Sequence, residues 1–224
     1  MIRQGSRRQD PSNAWSHYWK QNPYQSGLEI VDCGDIPIIT VENNLAFKAM
    51  EAGYETLIKR SNKPKLLTFG GDHSIELPIL RALNKVYGRI TLIQIDSHID
   101  TWSSGAKYGF SDDHTQAPIS HGNMLWHASE ENLLNDGGSI QVGIRTRYTN
   151  VNDLIDNQRF GFEVIPIEEF DKVPIEEIGE RIKNRVGVSE LCYLTFDIDS
   201  LDPSIAPGTG TPVSLHKINV NVYN

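Results

Sequence analysis

Apolar residues recur along this chain with two alternating rhythms. Between positions 41 and 60, Phe47, Met50, Tyr54, Leu57 and Ile58 fall at helical spacing. Leu77, Leu80, Leu83 and Tyr87 repeat that spacing and stop at Gly88, which reads as a helix C-terminal glycine. Further helices are predicted over 123–134, 151–159 and 174–186, the last with Ile175, Ile178, Ile182 and Val186 as its buried stripe. Short apolar runs at 28–38 (broken by Gly34 and Asp35), 65–69, 90–96, 139–144, 162–167 and 191–196 read as strands. Strands and helices alternate, which implies a mainly parallel sheet with helices on both faces, a three-layer α/β/α fold. Residues 1–26 carry Trp15, Trp19 and Tyr24 among polar residues with no clear period and read as irregular. No internal repeat or linker interrupts the pattern, so a single domain over 1–224 is expected.

Three of the predicted strands run into residues that ligate metals. Leu92-Ile93-Gln94-Ile95 leads into Asp96, His98 and Asp100, two apart. If the strand persisted, all three would project from one face. The run 191–196 ends in Asp197 and Asp199, and 65–69 breaks at Gly70-Gly71 to deliver His73. A lone Asp-x-Asp is ordinarily a turn or cap, and two glycines need mean only a tight turn. Together, four carboxylates and two imidazoles at the C-terminal tips of strands imply a cation, because open α/β sheets bind ligands at that edge. Oxygen and nitrogen donors without thiolate suit Mn²⁺ or a similar divalent ion, with zinc, cobalt and nickel also accommodated. Six donors exceed the four of a structural zinc. Two ions about 3.5–4 Å apart, sharing carboxylates and a hydroxide, fit better.

The 224 residues carry a formal net charge of −8, with 38% hydrophobic and 22% charged content. That balance argues against nucleic-acid binding, which needs a basic stripe, and favours a cationic ligand at long range. Cys33 and Cys192 lie in apolar runs and read as buried free thiols. No apolar run reaches the roughly 18 residues of a membrane span. The N-terminal residues, with Arg3, Arg7, Arg8 and Asp10, lack an apolar leader core. A cytoplasmic location is the default expectation, with mitochondrial or secreted placement the alternatives where a leader precedes Met1.

The motifs GGDHSI (70–75), DSHIDTW (96–102), SHG (120–122) and FDIDSLDPSIAPGTGTP (196–212) resemble the signatures of the ureohydrolases, the arginase and agmatinase family. The DSHIDTW and SHGNMLWHASEENLL segments are most similar to agmatinase-like members, fungal ones in particular. The resemblance implies an arginase-like parallel sheet and hydrolysis of a guanidinium group to urea and an amine. It implies two Mn²⁺ per subunit, with His73, Asp96, Asp100 and Asp197 around one and Asp96, His98, Asp197 and Asp199 around the other. Asp100 would also accept a hydrogen bond from the bridging hydroxide that attacks the guanidinium carbon. His121 matches the family's loop histidine and would return a proton to the leaving amine; read from the residues alone, it serves equally well as a partner for a loop carbonyl. Agmatine is the leading substrate, a small cationic guanidino compound, with guanidinobutyrate-type substrates and arginine as alternatives. Family members are commonly trimers or hexamers. His114 and His127 match no family role and default to surface or outer positions. Trp102 and Trp126 are assigned to packing, and Asp72 to orienting its neighbours.

The chain also departs from the family pattern. The family places a strand before the segment matching Ile2-Arg3-Gln4, and a glutamate-bearing helix after the Gly-Thr-Gly-Thr-Pro motif. Here residues 213–224 read VSLHKINVNVYN and contain no glutamate. The implied reading is a shortened member lacking the first and last strands, in which 65–69 loses its neighbours unless the alternating INVNVYN tail fills one place. A catalytically silent relative that keeps the metal donors is the competing expectation.

Overall fold

The computed structural model describes residues 2–61, 64–103 and 119–215. His114, most of the 100–121 loop and the 216–224 part of the tail lie outside them. The chain divides into two compact units, Met1–Asp35 and Ile36–Asn224.

The first unit contains a short helix, α1 (Ile2–Ser6), and is held by polar side chains. Asp10 and Asn22 each precede a proline and cap a 3-10 turn, accepting from Ser12 N at 2.9 Å and Tyr24 N at 3.0 Å. Arg3 forks onto Asp32 and Asp35 at 2.6 and 2.9 Å in solvent. Residues 28–38 form no strand. Asp32 Oδ1 accepts from Gly34 N at 2.9 Å and Gly34 has φ 78°, so this local side-chain bond interrupts the run. Its apolar residues Leu28, Ile30 and Val31 stay exposed, as does Cys33, contrary to the buried thiol expected there.

Among the described residues the second unit is built on four parallel strands: β1 (Thr91–Ile95), β2 (Ile140–Ile144), β3 (Glu163–Pro166) and β4 (Cys192–Phe196). Their spatial order is β3-β2-β1-β4. Five helices accompany them: α2 (Asn43–Ile58), α3 (Glu76–Tyr87), α4 (Met124–Glu130), α5 (Val151–Arg159) and α6 (Ile175–Val186). The even positions of β1 face α3 and α4. Leu92 is fully buried there against Leu77, Leu80, Met124 and Leu125. The odd positions Ile93 and Ile95 join Ile140, Val142 and Ile165 beneath Ile178 and Val186 of α6. Helix α2 stacks outside α3 through Tyr54, Ile58, Ile79 and Ala82. The three-layer α/β reading therefore describes this unit. No helix among the described residues is long and apolar enough to cross a membrane.

Three local expectations need correction. Residues 65–69 pair with no strand among the described residues, and Leu67 and Phe69 are exposed. Ile175, expected in the buried stripe, is 60% exposed, because α6 turns its first residue off the sheet. Cys192 is free but exposed. It shares with Leu194 and Phe196 the face of edge strand β4 that α6, seated on β1 and β2, does not cover.

The contrast between β1 and β4 is testable. Leu92→Ala should lower unfolding free energy by about 2–5 kcal/mol. Leu194→Ala, at an exposed position, should stay within about 0.5 kcal/mol. Urea denaturation midpoints compare the two, and equal losses would place the core elsewhere.

Candidate metal centre

Strands β1 and β4 run side by side with Ile95 opposite Phe196, so the chain leaves both at the same edge. Asp197 N bonds Ile95 O at 2.9 Å immediately beyond the ladder. Asp96 and Asp197 are thereby the first residues past two adjacent strand ends. His73 reaches the same edge from the turn before α3. Asp72 caps that turn, accepting from Ser74 N at 2.9 Å, and fixes where His73 points. At Gly70 a Cβ would lie 1.7 Å from Ile75 Cδ1, so a larger residue would have to push the end of that side chain aside.

The donors converge, but not by strand alternation. Strand β1 stops at Ile95. Asp96 Oδ1 then accepts from His98 N at 2.7 Å, and Asp100 takes a left-handed φ of 52°. Asp197 likewise accepts from Asp199 N at 2.9 Å and caps the 3-10 turn Ile198–Ser200. Tight turns, rather than an extended face, bring these side chains together. Two candidate ligand groups result, His73–Asp96–Asp100 and Asp96–His98–Asp199, with Asp96 common to both. Asp197 falls in neither, yet its Oδ2 lies 3.2 Å from His73 Nδ1. His121 is exposed on the turn before α4 and makes no side-chain hydrogen bond or ion pair among the described residues. Trp102 packs with Ile99 and Ile144 and bonds Asp153, as a packing residue should.

Crowding makes the electrostatics severe. Asp96, Asp100 and Asp197 oxygens lie 3.1, 2.9 and 3.2 Å from His73 Nδ1. That buried nitrogen nevertheless has no aligned hydrogen-bond partner. His98 Nδ1 lies 2.9 Å from Asp199 Oδ2 and 3.7 Å from Asp96 Oδ1. Burial pulls the His73 value down, but the carboxylates around it more than offset this and hold it well above the usual range. His98 is raised to about 10 by Asp199 and Asp96 against the opposing effect of burial. Burial and the Asp96 charge push Asp100 up to about 8. Burial acts to raise Asp199, but the His98 and Ser97 hydrogen bonds hold it below the ordinary carboxylate range. The raised values at His73, His98 and Asp100 favour proton uptake there, which offsets part of the cluster's negative charge. The unaligned Nδ1 among three carboxylate oxygens is what a divalent cation would satisfy, so the residues fit such an ion.

Several supporting residues were not anticipated. Gln94 Nε2 donates to Asp96 Oδ2 at 2.8 Å. Gln141 donates to Gln94 at 2.8 Å, and Asn157 of α5 to Gln141 at 2.8 Å. Their signal was a glutamine inside each of two apolar strand runs, in facing register. Thr211 Oγ1 and Ser97 Oγ donate to Asp199 at 2.9 and 2.7 Å. Arg145 donates to the carbonyls of Asp199, Ser200 and Val213 at 2.7, 3.1 and 2.8 Å, pinning the loop that carries Asp199. Gly143 has φ 94°, and a Cβ there would meet Asp96 O at 3.2 Å, so the bulge in β2 fits closely beneath this turn.

A sequence model of the arginase family matches residues 1–215. A Schizosaccharomyces pombe relative bearing an agmatinase name is 38% identical over 228 residues, 95% of this chain and 57% of its own length. The agmatinase of Proteus mirabilis is 37% identical over 93% of this chain and 62% of its own. A crystal structure described as a hypothetical agmatinase from Burkholderia thailandensis superposes with a TM-score of 0.73 and 33% identity. It covers 89% of this chain and 57% of that one. The chain thus spans somewhat more than half the length of the curated relatives it matches.

Stability should follow the cluster's protons. Folded-state values near 10 for His98 and 8 for Asp100 exceed the ordinary 6.5 and 3.8. Both contributions are complete below the ordinary values and are lost as pH rises through the folded ones. In chelator, the melting temperature should fall between about pH 4 and about pH 10, most steeply between about pH 6.5 and about pH 8, where both groups hold an extra proton only in the folded state. The increment added by Mn²⁺ should grow over the same window, because the ion replaces protons. A metal-free melting temperature that rises there would rule out a proton-filled cluster.

Proposed function

The chain belongs to the arginase family, and from that premise we propose that it is a Mn²⁺-dependent ureohydrolase acting on a small cationic guanidino compound, agmatine first. The observation that carries this reading is the pair of imidazole–carboxylate groups sharing Asp96 at the ends of β1 and β4. The agmatinase names of the relatives support the choice of substrate.

In this reading His73, Asp100 and Asp96 would hold one ion and Asp96, His98 and Asp199 the other, with Asp197 available beside His73. When bound, the ions supply Lewis-acid polarisation and make water acidic enough to attack near neutral pH. Asp96, shared between the groups, fixes their spacing, and Gln94 holds its Oδ2 in place. Asp100 would accept a hydrogen bond from the attacking hydroxide at a carboxylate oxygen. His121, exposed on the turn before α4, would return a proton to the leaving amine. The acidic donors and the net charge of −8 attract a guanidinium. A second reading is a relative that binds metal through the same donor groups without turnover.

Urea release from agmatine with Mn²⁺, measured beside Asp96→Ala, tests the proposal. The parent should make urea, and the variant should lose more than about 100-fold, beyond the 10–100-fold typical of groups that only support ligands. A parent that binds Mn²⁺ but makes no urea from agmatine, guanidinobutyrate or arginine would favour the second reading. A parent that binds no divalent ion would sink both.

A further inference from the structure

One buried ionisable group at this edge has no part in the scheme above. Glu76, the first residue of α3, is 1% exposed, and neither of its carboxylate oxygens has a hydrogen-bond partner among the described residues. A carboxylate left in that state is costly and calls for a compensating role. Its Oε2 lies 3.1 Å from His73 Nε2. That is the ring nitrogen opposite Nδ1, around which Asp96, Asp100 and Asp197 gather. Thr195 Oγ1 lies 2.8 Å from the same Nε2.

The imidazole has two nitrogens and, when neutral, one proton. For Nδ1 to offer a lone pair to a cation, the proton must sit on Nε2. Thr195 Oγ1 can accept or donate at Nε2, whereas a Glu76 carboxylate can only accept there, and its negative charge orients the ring and makes Nδ1 a stronger donor. Glu76 itself faces away from the cation cluster and is no ligand. We infer that Glu76 is a positioning residue whose carboxylate keeps the His73 proton on Nε2 and so presents Nδ1 to the metal. This inference rests on the metal-centre reading. The blander role is an acidic residue at a helix N-terminus, favoured by the helix dipole. That role predicts a different result on removal.

The test is Mn²⁺ titration of the full chain, with free ion followed by electron paramagnetic resonance, alongside metal-free thermal melts. Glu76→Leu should weaken one of the two sites by about 10–100-fold and leave the other near the parent value. Glu76→Gln keeps a neutral acceptor and should fall between, weaker by about tenfold, the low end of that range. The metal-free melting temperature of Glu76→Leu should stay level or rise, since an unpartnered charge has gone. If Glu76→Leu lowers the metal-free melting temperature while both sites bind as in the parent, the helix-end role is correct and the inference fails. Should Glu76→Leu not fold, Glu76→Gln decides alone, and parent-like affinity overturns the inference. A parent that binds no Mn²⁺ overturns the metal centre and this inference together. Parent binding with unchanged variants overturns only the inference.

Discussion

Electrostatic repulsion among carboxylates at the ends of β1 and β4 is the constraint that the rest of the second unit serves. Three aspartate oxygens stand within 3.2 Å of one imidazole nitrogen, and an aspartate shared with them approaches a second imidazole. Such a cluster is unstable with every group in its ordinary charge state. The fold tolerates it because compensation is available from protons or from divalent cations, and both enter by the same groups. Metal binding and proton release are therefore one equilibrium here, and the high value at His98 and the high value at Asp100 are two views of it.

Holding this cluster in register requires a rigid floor. The parallel pairing of β1 with β4 supplies the first element, since it fixes Asp96 and Asp197 as neighbours. The second is the amide ladder from Asn157 through Gln141 and Gln94 to Asp96, each step about 2.8 Å and buried. Buried polar groups satisfied in this way specify one arrangement, whereas a half-satisfied network would cost more than an apolar core. Arg145 adds a third element by gathering the carbonyls of the Asp199 loop. Its guanidinium reaches several acceptors at once because its donors are fanned in a plane.

The sequence revealed the strand and helix order of the second unit because that order rests on local periodicity. Helices 151–159 and 174–186 and the strands around 92, 141 and 194 follow from apolar spacing alone. The donors were also legible as residue types at strand ends. What the sequence concealed was geometry that depends on partners. Residues 65–69 have the composition of a strand but no neighbour to pair with among those described, and Cys192 lies on an uncovered edge that composition cannot reveal. Glu76 carried no signal in the sequence. Its burial beside His73 depends on the packing of α3 and on Thr195, more than a hundred residues away in sequence.

The choice of aspartate throughout the cluster has a physical reason in how the turns are made. Asp96 uses Oδ1 to accept His98 N and presents Oδ2 towards His73. Asp197 spends Oδ1 on Asp199 N and turns Oδ2 to the same imidazole. Asp199 gives Oδ1 to Ser97 and Oδ2 to His98. Each carboxylate divides its work: one oxygen anchors the local fold, and the other faces the site. An aspartate side chain is short enough to reach the backbone N–H two residues on, which is how Asp96 and Asp197 anchor themselves. A glutamate in those places would carry its carboxylate one methylene further out and displace the oxygen now beside the imidazole. The longer Glu76 arm belongs where it is found, behind the ring, where no backbone anchor is needed and reach alone counts.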